Sequence, residues 1–483
     1  MNLNCRSIAC RHSIISMFVL SLLAVFLLFT STEGYAAVFT VTNTNYDVSD
    51  SGSLRYAIEN ATSQDVITFD LDYPAIITLD EQLSIDHGLT IQGPGADLLS
   101  VSGGGVCRVF YIEDTGESVD ISGISIVSGD AGDNHGGGIY NLSDSLTLEN
   151  CHFSGNHAYY GGGMCNYLSR PTVTNCTFSS NTATYDGGGM HNSFYSPTVT
   201  NCTFTFNSAE YGGGMSNSFY SPTVTNCTFT FNSAEYGGGM SNFSSNPEVT
   251  NCTFSSNSAR VGAGIFNGFD SDPTVTNCIL WNAAGGEIYN YNASTPTLSY
   301  CVVQSDDHGI DTIILGNVTS ADPMLEALAD NGGLTLTCAL GVGSSAIDAG
   351  IDTIVIDETT IEAPDTDQRG HERPWGAGYD IGAYEVDVES FTIIPYWTSG
   401  GVINPASIAV FEGEHVDFTI SPDISYHIEE IYVDGDSIYF EPVENKYIYT
   451  FDNVSADHWL FAIFEPSNDD DDDSTTNSGG DGG

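Results

Sequence analysis

A repeat of 25 or 26 residues runs from Gly136 to Gly286, and no other feature constrains the fold of this 483-residue chain as strongly. Each unit begins with a glycine triplet or a close variant and continues through three short runs of alternating apolar and polar residues, separated by Gly, Asn, Ser and Pro. Runs so short and so interrupted predict strands rather than helices. Three short strands have no core of their own, so each unit must stack on its neighbours. The repeat therefore predicts an all-β chain built around a right-handed parallel β-helix, with one coil per unit.

Stacking places equivalent residues above one another in columns. Phenylalanines in a column fill a dry interior, and asparagines in a column can hydrogen-bond along the axis and hold the turns in register. The three columns are Cys151, Cys176, Cys202, Cys227, Cys252, Cys278 and Cys301; Phe153, Phe178, Phe204, Phe229 and Phe254; and Asn156, Asn181, Asn207, Asn232 and Asn257. Residues 193–217 and 218–242 are identical, so one coil is duplicated. We expect residues 38–386 to form about 10 to 13 coils, at a spacing of about 4.8 Å.

The repeat itself resembles a known bacterial family. Its glycine triplets followed by Ile or Met, and its pairs of Phe and Asn three residues apart such as Phe178 and Asn181, are similar to polymorphic outer-membrane protein repeats of the GGAI/FxxN type. That resemblance implies a β-helix exposed at a bacterial cell surface, at the outer membrane.

The flanks of the repeat resemble choice-of-anchor Q domain surface proteins. The similar stretches are residues 53–58 (SLRYAI), 65–69 (DVITF), 330–337 (DNGGLTLT), 344–350, 367–370 and 380–385 (DIGAYE). Tyr56 and Ser345 depart from the usual pattern. Together with the repeats, the resemblance covers residues 38–386. It implies a surface-exposed β-helix of pectin-lyase-like shape and says little about chemistry.

Changes in composition divide the chain into six predicted segments. They are a signal peptide (1–36), an N-terminal cap with irregular first coils (37–135), the regular repeats (136–286), the last coils and a C-terminal cap (287–386), a small β-rich domain (387–466) and an Asp/Gly/Ser-rich linker (467–483). The small domain shows longer alternating strands and an Asp434–Gly435 hairpin turn. Its stretch 447–464 resembles bacterial surface repeats that act as spacers or adhesion modules.

The two ends of the chain predict export. Arg6 and Arg11 precede the apolar run 14–29, and small residues at 34–36 match a cleavage site, as in a secretory signal peptide. No later stretch is long and apolar enough to span a membrane. The acidic, disordered C-terminal linker predicts either a further anchor beyond Gly483 or release of the protein. We expect a secreted protein or one held at a bacterial cell surface.

Charge limits the choice of partner. The chain carries 9 Lys plus Arg against 63 Asp plus Glu, a formal net charge of −54. Nucleic acids and anionic membranes repel such a protein. Surface glycans or proteins remain as possible partners.

Few residues predict chemistry. The Cys column favours buried reduced thiols, with paired disulfides or a metal as alternatives. The histidines at 135, 152, 157 and 191 fall at different positions of the coil, which predicts no metal site. The acidic residues Asp306, Asp307 and Asp311 lack a complete Ca²⁺-ligand pattern. The carboxylates of 365–385, with Arg369, favour a structural ion-pair cap over a catalytic cluster. No catalytic, cofactor-binding or metal-binding residue is therefore assigned, and no cofactor is predicted.

Two functions compete on this sequence. The first is a non-catalytic surface protein, an adhesin, binding or spacer module, in which Phe194, Tyr195, Phe219 and Tyr220 either form an aromatic strip for sugar stacking or pack a turn. The second is an extracellular polysaccharide lyase or glycoside hydrolase, which rests on analogy with the β-helix fold. No coil of the repeat shows a base with partner carboxylates, so we favour the first function. The second function would depend on the irregular region around Asp306, Asp307 and His308.

Overall fold

The computed structural model describes residues 36–282, 285–304, 311–356, 358–387, 389–441 and 446–467. The predicted signal peptide up to residue 35, the residues Asp306, Asp307 and His308, and the predicted linker from residue 468 onward lie outside these ranges. No helix within them is long and apolar enough to cross a membrane.

The chain begins with short strands and one helix. These elements are β1 (Val38–Val41), α1 (Leu54–Asn60), β2 (Asp65–Phe69), β3 (Ala75–Thr78), β4 (Leu83–Ile85), β5 (Leu89–Gln92), β6 (Leu99–Ser102), β7 (Phe110–Ile112), β8 (Val119–Ser122) and β9 (Ser125–Val127). Helix α1 begins where the Ser53 side chain accepts a hydrogen bond from the Tyr56 backbone N–H. Its buried residues Leu54, Ala57 and Ile58 join the core, so the helix covers the first coils.

The repeat region contains only strands. They are β10 (Ile139–Asn141), β11 (Leu146–Glu149), β12 (His152–Ser154), β13 (His157–Tyr160), β14 (Met164–Tyr167), β15 (Thr172–Thr174), β16 (Thr177–Ser179), β17 (Thr182–Asp186), β18 (Met190–Ser193), β19 (Thr198–Thr200), β20 (Thr203–Thr205), β21 (Ser208–Tyr211), β22 (Met215–Ser218), β23 (Thr223–Thr225), β24 (Thr228–Thr230), β25 (Ser233–Tyr236), β26 (Met240–Phe243), β27 (Glu248–Thr250), β28 (Thr253–Ser255), β29 (Ser258–Val261), β30 (Ile265–Gly268), β31 (Thr274–Thr276) and β32 (Ile279–Trp281). Strands β33 (Ile288–Tyr291), β34 (Thr297–Val303) and β35 (Ile313–Thr319) complete the coils, and β36 (Thr353–Ile356) and β37 (Thr359–Glu362) form a hairpin.

These strands build a right-handed parallel β-solenoid of about 11 turns, as the sequence predicts. Three parallel sheets run along it. Sheet A joins two columns of strands, which begin at β1 and at β3 and merge in β34 before β35. Sheet B has the order β33-β30-β26-β22-β18-β14-β10-β7-β4, and sheet C the order β13-β17-β21-β25-β29.

The interior consists of the predicted columns. Adjacent rings of the Phe column stack with centroids 4.5–4.8 Å apart and planes within 8°. The Asn side chains form a ladder in which each Nδ2 donates to the next Oδ1 at 2.7–3.0 Å. Each Nδ2 also donates to a backbone carbonyl of the preceding coil. The ladder thus supplies hydrogen-bond partners to buried backbone at every turn.

The glycine triplets are required by close approach between coils. Gly187 has φ +69°, and a Cβ on Gly188 would lie 2.5 Å from the carbonyl oxygens of Gly213 and Ser208. Glycine is therefore the residue that lets sheets B and C meet at this corner.

Beyond β35 the structure differs from the predicted last coils and cap. Residues 321–386, which we call the strap, run back along the outside of sheet A. Thr335 Oγ1 donates to Asn201 O, Asn226 Nδ2 donates to Thr366 O, and Ala383 N donates to Thr253 Oγ1. The 380–385 segment thus lies against the side of the solenoid rather than across its end. Polar side chains on the outer face of sheet A supply the partners that hold it there.

The remaining strands pack around a second core. They are β38 (Ser390–Trp397), β39 (Gly401–Asn404), β40 (Ile408–Phe411), β41 (Val416–Pro422), β42 (Tyr426–Val433), β43 (Asp436–Ile438), β44 (Tyr447–Phe451) and β45 (His458–Pro466). A five-stranded sheet, β40-β38-β45-β42-β43, and a three-stranded sheet, β39-β41-β44, share buried residues that include Ile393, Phe418, Ile431 and Leu460. The predicted hairpin turn is present, because Asp434 and Gly435 have positive φ and join β42 to β43.

Candidate binding surface

One outward-facing column of sheet B departs from the repeat. The paired residues along it are Tyr140, Cys165, His191, Ser216, Ser241, Phe266 and Tyr289. The duplicated coils place serine here, whereas the two preceding coils place Cys165 and His191. This column varies from coil to coil, and in the two coils before the duplicated pair it carries a thiol and an imidazole.

The same coils differ on sheet C. The unit from 161 to 186 is one residue longer than its successor, and the β-ladder shifts its register there. As a result Asp186 pairs with Tyr160 on one side and with Tyr211 on the other. The extra residue therefore introduces a carboxylate into a column of tyrosines.

These departures meet at a cavity of about 260 Å³, which we call the His191 pocket. Its lining residues are His135, Tyr160, Cys165, Tyr167, Asp186, His191, Ser193, Ser218 and Phe219. From the sequence, His135 and His191 fall at different positions of the coil, and no coil of the repeat shows a base with partner carboxylates. The structure places both histidines and Asp186 at one cavity, because the corner between sheets C and B brings the turn before one coil beside strands of the next.

Two buried polar atoms of the pocket lack partners. Asp186 and His191 are each only 7% exposed. Asp186 Oδ1 and His191 Nδ1 have no partner at hydrogen-bonding geometry among the described residues, and neither has the hydroxyl of the neighbouring Ser216. Buried polar atoms normally find one, so two unpaired acceptor atoms in the lining of one cavity are available to a ligand.

Burial sets the protonation of both groups. Desolvation raises the pKa of Asp186 to about 7, and the nearby charge of Glu210 adds to this effect while the Ser216 hydroxyl opposes it. Desolvation, with a smaller contribution from His135, lowers the pKa of His191 to about 3. Near neutral pH the imidazole of His191 is therefore uncharged, and Asp186 titrates.

The pocket is not organised for attack by the Cys165 thiol. Its Sγ lies 3.9 Å from His135 Nδ1, but complete burial raises the pKa of the thiol. A nucleophilic cysteine needs a lowered pKa. Arg108, the nearest cation, donates from Nε and Nη2 to the carbonyl oxygen of His135 and from Nη1 to Gln82 Oε1. Its hydrogen bonds are directed at the neighbouring coil rather than at the thiol.

An aromatic strip adjoins the pocket. Phe194 and Phe219 stack with centroids 4.9 Å apart and planes 12° apart, and the Tyr195 and Tyr220 rings lie 5.6 Å apart. Phe219 is 55% exposed and Tyr220 is 50% exposed. Since Phe219 also lines the His191 pocket, the strip and the pocket form one continuous surface.

The other residues singled out from the sequence lie apart from this surface. His152 hydrogen-bonds to Ser179 Oγ at 2.8 Å, and His157 pairs with Asp130 at 3.0 Å. Within the described residues no three His, Cys, Asp or Glu side chains are placed to hold a metal ion. The Cys column is made of free thiols whose Sγ atoms lie within hydrogen-bond distance of backbone carbonyls, for example Cys176 with Thr174 O at 3.2 Å.

The carboxylates of the strap form ion pairs. Arg369 contacts Asp367 at 2.8 Å, and the fully buried Arg373 contacts Glu385 at 2.9 Å. Arg373 was not singled out from the sequence, because only the folded strap brings it to Glu385. Desolvation, with the charge of Glu385, raises the pKa of Asp380 to about 7. The hydrogen bonds of Asp380, from the backbone N–H groups of residues 348 and 386, hold strap segments together.

The geometry defines a β-solenoid protein with one distinct surface, and comparison with known proteins agrees on the class. The model of the right-handed β-helix region matches residues 87–240 and 220–336, which together span more than half of the chain. The chain belongs to this family. Among solved structures, the crystal structure of pectate lyase Pel9A is similar at 12% identity and a TM-score of 0.38, over 73% of this chain and 98% of that one. No curated protein matches the chain.

Proposed function

We propose that this protein is an exported, surface-associated and non-catalytic binding module that holds glycans on the aromatic strip. The observation that carries the proposal is the stacked pair of half-buried Phe194 and exposed Phe219, which leads into a pocket with unpaired polar atoms. Aromatic faces pack against the apolar faces of sugar rings, and pocket polar groups can bind hydroxyls or amines.

Placement at the cell surface is supported by the sequence. A signal-peptide pattern precedes the solenoid, and the flanks resemble surface proteins whose attachment differs from case to case. A net charge of −54 favours neutral or cationic partners over polyanions. Fractionation of the producing cell, combined with protease treatment of intact cells, tests the location: the protein should be found outside the cytoplasm and be cleaved on intact cells.

The arginines of the repeat support binding rather than lyase chemistry. A lyase needs a basic group free to remove a proton. The guanidinium of Arg170 lies 4.4 Å from the Tyr195 ring centroid, and that of Arg260 lies 5.0 Å from that of Tyr236. Both cations are engaged with neighbouring rings.

One observation favours the alternative, a glycoside hydrolase. Asp186 has a pKa of about 7, which suits a general acid, and the carboxylate of Glu210 is close enough to raise it. In that reaction Asp186 would protonate the leaving oxygen and Glu210 would act as nucleophile or base.

A paired test separates the two functions. We expect the double variant Phe194→Ala/Phe219→Ala to lose retardation in gels that contain a neutral glycan. The matched control is Phe206→Ala/Phe231→Ala, because Phe206 and Phe231 are also stacked at 4.9 Å, exposed and in positive-φ turns of the same coils. Equal loss in both variants would contradict the strip as the binding site. Release of reducing ends or unsaturated products, abolished by Asp186→Asn, would establish the enzyme instead.

A further inference from the structure

We propose that the His191 pocket binds the primary ammonium group of an amino sugar, presented by a glycan that lies along the aromatic strip. The inference rests on the proposed function, since the strip supplies the glycan. It adds the chemical class of the sugar and the group that is recognised.

The unpaired atoms of the pocket are acceptors. Asp186 Oδ1 accepts hydrogen bonds when the carboxyl is ionised, and His191 Nδ1 accepts when the neutral ring carries its proton on Nε2. A primary ammonium has three N–H donors and no acceptor, so it matches both atoms. A ligand with only acceptors would leave them unpaired.

The charge of the surroundings also favours a cation. Desolvation keeps His191 uncharged and lowers the pKa of His135, so neither ring repels an ammonium near neutral pH. Arg108 is the cation on this side, and it stacks on Tyr140 beyond the His135 ring. The net charge of −54 draws cations towards the protein from a distance.

The chain already places cations over tyrosine rings, which is the contact that a cationic ligand needs. The guanidinium groups of Arg108, Arg170, Arg260 and Arg369 all lie over tyrosine rings, at 3.7–5.8 Å from the centroids. The pocket offers the rings of Tyr160, Tyr167 and Phe219 beside a carboxylate. Rings and a carboxylate together stabilise a desolvated cation.

Size and position favour an amino sugar over a lysine side chain. A volume of about 260 Å³ is somewhat below the range of about 300–1,000 Å³ that is typical of small-molecule pockets, so it suits one head group. Phe219 connects the pocket to the strip, so a sugar whose neighbours stack on Phe194 and Tyr220 can place its amine beside Asp186.

Binding should depend on pH through Asp186. The titratable and charged groups that influence or face it are Glu210, Tyr160, Tyr185, Tyr211, Cys165, His135, His191 and, beyond the His135 ring, Arg108. Within physiological pH it is Asp186 whose charge changes, because burial raises its pKa to about 7. Affinity for the ammonium should therefore fall as the pH drops from 7.5 to 5.5 and the carboxylate is protonated.

Calorimetric titration of the mature secreted protein tests the proposal. The probes are a glucosamine hexamer, its fully N-acetylated form and an N-acetylated lysine amide, at pH 7.5 and 5.5. We expect the glucosamine hexamer to bind about ten-fold more tightly than the acetylated form at pH 7.5, with the preference lost at pH 5.5 and in Asp186→Asn. Asp144→Asn, at an exposed carboxylate outside the pocket, should keep the preference.

A second variant protects the test against misfolding. His191→Ser restores the residue that the duplicated coils carry at Ser216 and Ser241, so the solenoid accepts it, and it should weaken the preference. Equal binding of both hexamers, or a preference that survives in Asp186→Asn and in His191→Ser, overturns the proposal while the aromatic strip can still bind glycan. Stronger binding of the lysine amide than of glucosamine overturns the assignment to a sugar. Loss of binding to both hexamers in Phe194→Ala/Phe219→Ala, with the control double variant unaffected, separately supports the proposed function.

Discussion

Buried polar side chains in this protein fall into two groups that differ in their hydrogen bonds. Asparagines of the ladder are satisfied on both sides, so they hold neighbouring coils in register at every turn. Asp186 and His191 are equally buried but each leaves an atom without a partner among the described residues. The first group explains stability. Asp186 and His191 differ from other buried side chains with an unpaired atom, such as Thr250 and Thr276, because they line the same cavity, where a ligand can supply the missing partner.

The ladder predicts a large effect of a single substitution. Asn207 donates to Phe178 O at 2.9 Å and to Asn232 Oδ1 at 2.9 Å, and it accepts from Asn181 at 3.0 Å. Asn207→Ala should lower the free energy of unfolding by about 2 to 4 kcal/mol, because each buried partner left unsatisfied costs about 1–3 kcal/mol. Chemical denaturation measures it. Asn134→Ala, at an exposed residue, should change it by about 0.5 kcal/mol or less.

Asp186 predicts an unusual pH dependence of stability. Its folded pKa is raised to about 7 from an ordinary value of 3.8, so the protonated form is favoured in the folded state. The stabilisation is fully present below about pH 3.8 and is lost as the pH rises through 7. Asp186→Asn should therefore be more stable than the parent at pH 8 by on the order of a few kcal/mol, with the gain shrinking towards pH 4. Thermal unfolding at both pH values measures this, and an unchanged difference would contradict it.

At the scale of strands and turns, each coil depends on the corner between sheets C and B. That corner is closed by a glycine triplet, whose first member has positive φ and whose second and third members face backbone of the next coil. Strand pairing in sheet B is in register above and below, so a distortion at one corner reaches both neighbouring coils.

The corner can be tested with two glycines. Gly188→Ala should reduce stability by about 3 kcal/mol or more, because the new Cβ would lie 2.5 Å from two carbonyl oxygens. Gly155→Ala is the matched control: Gly155 has φ +63° but nothing within 4 Å, so only the backbone conformation opposes alanine, by about 1 kcal/mol. Equal losses in the two variants would show that close approach is not the reason for glycine.

At the scale of the whole molecule, the two coils with identical sequences make different hydrogen bonds to the strap. Gln368 Nε2 donates to Thr203 Oγ1 in the first copy, and Thr228 Oγ1 of the second copy donates to Gln368 Oε1. Thr335 and Asn226 extend the contact in both directions. A strap that spans both copies fixes how many coils must lie beneath it.

Deletion of a coil tests this dependence. From the repeat alone, removing residues 193–217 should leave a folded protein one coil shorter, since solenoid stability is nearly additive. With the strap in place, we expect a larger loss than one coil's share, because the strap segments at 335 and 368 then compete for one set of partners. Deleting residues 142–166, which joins Asn141 to Tyr167 in the register of the repeat, is the control, since the coils that bond the strap remain. Similar unfolding midpoints for the two deletions would contradict the role of the strap.

The sequence by itself determined the architecture, because in a solenoid a residue's spatial neighbour lies one period away along the chain. The columns of Phe178 and Asn181 and the need for glycine at the corners could therefore be predicted, and so could the hairpin at Asp434–Gly435, whose turn is local. Only the tertiary structure decided the positions of the strap and the His191 pocket. Gln368 hydrogen-bonds to Thr203 across 165 residues. The 25-residue period predicts contacts between neighbouring coils and could not predict this one. Asp186 lines the same cavity as His191 because one extra residue shifts the register of sheet C at a corner. The longer unit and the change from Ser216 to His191 were visible in the sequence, but their meaning depended on which side chains the corner brings together and how deeply it buries them.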